Sequence, residues 1–251
     1  MLVRMILDVF NNESATTFTT MLTTLAMFLP MLVVAFTVHE LSHGLAAYSL
    51  GDTTAKRQGR LTLNPLRHID PIGFLCILVI GFGWAKPVMV NPYNLKNPKV
   101  DFALIAAAGP ISNFLLAFIG ALLLMLFANN TLFIINGEIT YFSFAFVDGE
   151  LQRITLSPLI QASLFFIQIN LVLGIFNLIP IPPLDGSKII AGILPQETLN
   201  RLPDISRYSL IILLALVMPI VGGQSIIQLV IFPIVQGLLV LFLSFGQFLF
   251  A

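Results

Sequence analysis

Two histidines and a glutamate stand together in a largely apolar run, Phe36-Thr37-Val38-His39-Glu40-Leu41-Ser42-His43-Gly44. The pattern is H-E-x-x-H. On a helix, residues four apart share a face, so both imidazoles point the same way. Paired imidazoles can hold a divalent ion, and the glutamate beside them can act as general base on a water which that ion activates. The plainer reading of any one histidine on an apolar helix is a buried, hydrogen-bonded core residue. The chain has only three histidines, and a chance H-E-x-x-H in it is roughly a one-in-a-thousand event. The setting adds weight. Residues 21–36 are almost wholly apolar, and ionisable groups inside a membrane span are costly and mark function.

The elements that position this run must cross a membrane. Of 251 residues, 57% are hydrophobic and 10% charged, against about 25% charged in soluble domains. The chain reads as an all-α polytopic membrane protein: a three-helix core around the motif, peripheral helices and a small membrane-associated β element. No polar stretch is long enough for a soluble core, so residues 1–251 are expected to form one membrane-embedded domain. The net charge is zero, which gives no footprint for nucleic acid. The lone Cys76 excludes an internal disulfide. Residues 1–10 lack a signal peptide's apolar core and cleavage site, and read as a short interfacial amphipathic piece.

Core spans are expected over about 15–50, 102–128 and 158–180, since a bilayer requires about 20 apolar residues. Pro30 predicts a kink in the first. His39 precedes Gly51, the end of that span, by roughly 18 Å at the helical rise, which places the motif at membrane depth. The segment from about 60 to 92 reads differently. Its apolar part, Ile72 to Trp84, is too short to span and suggests a re-entrant piece. Residues 60–63 and 88–90 look like short strands. They either plug the structure or offer an edge that holds an extended peptide. Asn113, in the second span, is read first as a helix-packing hydrogen bonder and second as a lining of the site. Helices are also expected over about 208–250, with 208–221 short and 226–250 long enough to cross.

The third span runs into Asn177-Leu178-Ile179-Pro180-Ile181-Pro182-Pro183-Leu184-Asp185-Gly186. Prolines at 180, 182 and 183 forbid regular helix. Broken backbone at membrane depth is tolerated only inside protein or along a wet cavity. Asp185 could therefore be aimed at the histidines, or it could cap the next helix and leave the ion short of a third ligand. Loop charge bears on this. Residues 52–101 carry seven Lys/Arg, and residues 129–157 carry one. The first loop is then expected on the cytoplasmic side and the second outside. His39, His43 and Asp185 fall at similar depth near cytoplasmic helix ends.

Together these residues resemble the site-2 protease family of intramembrane zinc metalloproteases. The resemblance lies in His39-Glu40-Leu41-Ser42-His43, Asn177-x-x-Pro180 and Asp185-Gly186. Leu63-Asn64-Pro65-Leu66-Arg67-His68-Ile69-Asp70-Pro71 and Gly109-Pro110-x-x-Asn113 are similar to the compact prokaryotic branch, which has no PDZ insertion. The resemblance implies one zinc ion per chain held by His39, His43 and Asp185. It implies Glu40 as catalytic carboxylate and Asn177 as a catalytic group near the scissile bond. The expected activity is endopeptidase cleavage in or near transmembrane segments, with zinc-activated water as nucleophile. The expected partners are single-span membrane substrates and the lipid bilayer. The expected location is the cell (inner) membrane, with the site in its cytoplasmic half. His68 is expected to shape a turn rather than ligate. The competing class is a non-proteolytic zinc-binding membrane protein, a carrier or inactive scaffold; simple ligation does not require Glu40, and no repeated halves are visible.

Overall fold

In the computed structural model the described residues are 15–80, 83–127, 132–135, 138–141, 144–147, 150–153, 158–201, 206–221 and 224–250. The interfacial piece expected over 1–10 lies outside them. In chain order the elements are α1 (Ala15–Ser49), α2 (Thr54–Arg57), a 3-10 turn (Pro65–Arg67), α3 (Pro71–Ile80) and α4 (Pro98–Phe127). Four strands follow, β1 (Leu132–Ile135), β2 (Glu138–Tyr141), β3 (Phe144–Val147) and β4 (Glu150–Arg153). Then come α5 (Pro158–Asn177), α6 (Asp185–Ile193), α7 (Gln196–Arg201), α8 (Ser209–Val217), β5 (Pro219–Val221), β6 (Gln224–Ser225) and α9 (Ile226–Phe250).

Four described stretches are long and apolar enough to cross a membrane: Leu25–Ser49, Pro98–Phe127, Leu159–Asn177 and Gln228–Phe250. In a bilayer each backbone polar group must find its partner internally, and a continuous helix does this within itself. The chain is a multi-pass, predominantly helical membrane protein, with α1, α4 and α5 mutually packed as its core. Ala117 and Ala121 of α4 are buried against Ile167 and Leu171 of α5 and Leu239 of α9. Small residues at this seam let the backbones approach. On the opposite face of α4, Ile111, Leu115, Ile119 and Leu123 are exposed. Four apart, they form one ridge that lipid can cover.

The β element expected within 60–92 does not form. Residues 71–80 are helix α3, and the described pairing in this segment is a single bridge between Ile69 and Ala85. The run has no period-2 alternation, and a helix satisfies its backbone without a partner strand. Residues 83 and 84 nonetheless lie close against α3. A Cβ on Gly73 would lie 2.2 Å from Trp84 O, and one on Gly83 would lie 2.0 Å from Gly73 O. Only glycine lets the return path lie this close to α3. Strands occur instead where a polar connection was expected: β1 pairs with β2 and β3 with β4, each antiparallel.

From Trp84 to Asn91 the chain forms no helix or strand beyond the bridge at Ala85, and it is held largely by side-chain hydrogen bonds. Arg60 donates to Arg67 O and Lys86 O. Lys86 N donates to His68 O at 2.8 Å. Asp52, wholly buried at the end of α1, accepts from Asn91 N (2.8 Å), Asn94 Nδ2 (2.7 Å) and Thr54 N and Oγ1 (3.0 and 2.6 Å). Burial would raise its carboxyl, but these donors outweigh that and hold it below the usual carboxylate range. Asp52→Ala should cost about 1–3 kcal/mol by orphaning buried donors. Because the folded value is depressed, the contribution is complete above about pH 4 and is lost as pH falls below it. Thermal melts in detergent should show an acid-side loss that Asp52→Asn flattens.

Candidate metal centre

His39 and His43 project from the buried face of α1, one turn apart. Their Nε2 atoms are 3.1 Å apart. Asp185 Oδ2 lies 3.2 Å from His39 Nε2 and 3.1 Å from His43 Nε2. All three residues are buried, and together they could hold a metal ion.

Outer contacts settle which ring nitrogens are free. His43 Nδ1 lies 2.7 Å from Ile105 O. A carbonyl only accepts, so Nδ1 carries the proton and Nε2 presents an electron pair. His39 Nδ1 donates to Asn113 Oδ1 at 2.6 Å, which leaves its Nε2 in the same state. With both rings neutral, two electron pairs and a carboxylate oxygen converge, a set that a cation would satisfy. A tetrahedral zinc site with ligands at about 2.0–2.1 Å sets its ligand atoms roughly 3.3 Å apart. The observed triangle is within about 0.2 Å of this. Three protein ligands leave a fourth position, the arrangement of a catalytic rather than a structural zinc site.

Asp185 is placed by backbone packing. The chain turns after α5 through Leu178 to Leu184, and Asp185 is the first residue of α6. The N-cap position is Leu184, so the capping role considered for Asp185 is not the one it takes. A Cβ on Gly186 would lie 2.2 Å from Leu178 O; no other residue allows this fold-back. Lys188 Nζ holds Asp185 Oδ1 at 2.9 Å, which directs Oδ2 to the histidines. Gly109 of α4 closes the site from the other side. A Cβ there would stand 2.4 Å from His43 Nε2 and 2.6 Å from His39 Cε1.

Glu40 sits on the next face of α1, and its Oε2 accepts from Val88 N at 2.8 Å. Its charge offsets part of the burial cost of the Arg60 guanidinium, which burial pushes down. Asn177 is not tied to the three. Its Nδ2 donates to Leu173 O at 3.0 Å in its own helix. His68 is buried away from them and donates through Nε2 to Thr62 O at 2.8 Å. Asn113 takes both of its readings: it bridges to Ala35 O and Asn170 on neighbouring helices and lies against His39. Asn170 and Val88 were not picked out from the sequence. A polar Asn170 within an apolar span was the available signal for the first; a backbone donor such as Val88 N leaves none.

The fold and this site define a polytopic membrane protein with a buried two-histidine, one-carboxylate centre. The chain belongs to peptidase family M50, the site-2 protease family, whose model matches residues 27–220. It is similar to YwhC of Bacillus subtilis, named as a zinc metalloprotease, with 42% identity over 192 residues, 76% of this chain and 80% of YwhC. It is also similar to Rip2 of Mycobacterium tuberculosis, with 28% identity over 190 residues, 73% of this chain and 63% of Rip2. MJ0611 of Methanocaldococcus jannaschii is 28% identical over 155 residues, 62% of this chain and 64% of MJ0611. Both are likewise named as zinc metalloproteases. The match covers less than two thirds of each of these last two. No solved structure matches the chain.

Proposed function

We infer that the chain is an intramembrane zinc endopeptidase acting in or near the transmembrane segments of single-span membrane proteins. The observation that carries this is the convergence of His39 Nε2, His43 Nε2 and Asp185 Oδ2 within 3.1–3.2 Å, with Glu40 next in sequence. His39, His43 and Asp185 would hold one ion. Zinc bound there supplies a Lewis acid for the scissile carbonyl and lowers the pKa of an attacking water. Glu40 takes the proton from the attacking water and delivers it to the leaving amine. Asn177, once released from Leu173 O, donates to the developing oxyanion. A helical substrate hides its carbonyls, so it must unwind locally. The irregular segment 84–91, whose Val88 N bonds Glu40, is the candidate for holding it open. The excess of Lys and Arg in 52–101 supports a site in the cytoplasmic half of the cell (inner) membrane.

The test is zinc-dependent cleavage of single-span test proteins by the purified chain in detergent, set against zinc uptake into vesicles carrying it. Cleavage that stops on chelation and returns with zinc is expected. Uptake without cleavage would replace this reading with a carrier.

A further inference from the structure

Asn170 of α5 lies outside every residue assigned above. It is wholly buried, as is Asn113. Buried amides must be satisfied, and here they are satisfied in a chain that has a direction. His39 Nδ1 donates to Asn113 Oδ1 at 2.6 Å. Asn113 Nδ2 donates to Asn170 Oδ1 at 2.9 Å and lies 3.4 Å from Ala35 O. Asn170 Nδ2 donates to Phe166 O at 2.9 Å.

An amide can turn over with little change of shape, exchanging its oxygen and its NH2. If Asn113 turned, its NH2 would face His39 Nδ1. That nitrogen would have to accept, the ring proton would move to Nε2, and the electron pair needed for an ion would be lost. The far end of the chain forbids the turn. Phe166 O accepts only, so Asn170 must direct its NH2 there and its oxygen towards Asn113. Asn113 must then direct its NH2 to Asn170 and its oxygen to His39. Ala35 O reinforces the same orientation. One proton arrangement satisfies every atom.

We propose that Asn170 is a positioning residue: acting through Asn113, it sets the His39 tautomer that leaves Nε2 free for the ion. The proposal rests on the reading of the three residues as a metal site. The relay passes through side chains of α1, α4 and α5 and ends on backbone carbonyls of α1 (Ala35 O) and α5 (Phe166 O).

The experiment measures zinc affinity of the full chain in detergent by competition with a chelator. Cobalt absorption is recorded as a signature of ligand geometry, and melts of the metal-free forms report folding. Asn170→Leu should weaken zinc binding 10–100-fold, the usual loss on removing an outer-shell partner. In an Asn113→Asp background the carboxylate accepts from His39 whichever way it lies. There the same change should cost under about threefold, because the coupling has been removed. Asn170→Ala, which cannot overpack the site, should show the same dependence on background. Equal losses in both backgrounds would mean packing alone, and no loss in the parent background would remove the relay. A parent chain that binds no zinc overturns the relay and the metal site together.

Discussion

Glu40→Gln should bind zinc as tightly as the parent chain and cleave a membrane-embedded test substrate at least 10²–10⁴-fold more slowly, the usual contribution of a positioned acid–base group. The two halves of this expectation have separate causes. Retention follows from geometry. Glu40 is not among the three converging atoms, and a glutamine oxygen can still accept from Val88 N. The imidazoles keep their outer partners, Asn113 and Ile105 O. Loss of rate follows from chemistry, since an amide cannot take a proton from the attacking water and pass it to the leaving amine. Zinc content by elemental analysis and single-turnover cleavage, read on the same preparation, separate the two. Turnover at the parental rate would remove Glu40 from the mechanism, and loss of zinc would make it a ligand or a scaffold.

Gly109→Ala should abolish high-affinity zinc binding, with a loss of at least about 100-fold, the upper end of what outer-shell changes cost. The added methyl carbon would stand 2.4 Å from His43 Nε2 and 2.6 Å from His39 Cε1. Neither ring can move aside cheaply. Each is tethered at Nδ1, and α1 and α4 are packed together along this seam. Competition against a chelator of known affinity measures the loss, and melting of the metal-free form tests whether the fold survives. Unchanged affinity would mean that the histidines adopt another arrangement when loaded.

How much of this could be read from the residues depended on the kind of contact involved. His39, Glu40 and His43 are four consecutive helical steps or fewer apart, so their shared location is a local matter. Asp185 lies far along the chain, yet its proline-broken approach and Gly186 leave a local trace, and even-numbered crossings keep it at the right depth. The helix at 71–80 was not legible as such. A run of apolar residues shorter than a span has no period that separates strand from helix, and here the need to satisfy backbone in a membrane decides it. The strands between 132 and 153 lie in a stretch whose polar composition reads simply as connection. Asn170 was missed because its role depends on Asn113 and Phe166 O meeting it in space. Asn177 was named from resemblance alone, and its amide rests on Leu173 O.

The site has one rigid wall and one yielding wall. Asp185 is fixed by main chain pressed on main chain, at Gly186 and Leu178, and the histidines by helices locked along their length. The partner of Glu40 is different: Val88 belongs to a strip tethered mainly through hydrogen bonds to Asp52, Arg60 and Glu40. Segments with few buried apolar contacts open at lower free energy than packed helices. Amide hydrogen exchange should therefore be faster over 84–91 than over 105–113 or 164–176, and equal protection would contradict this division. An incoming polypeptide can then be admitted on the tethered side while the ion-holding atoms stay in register.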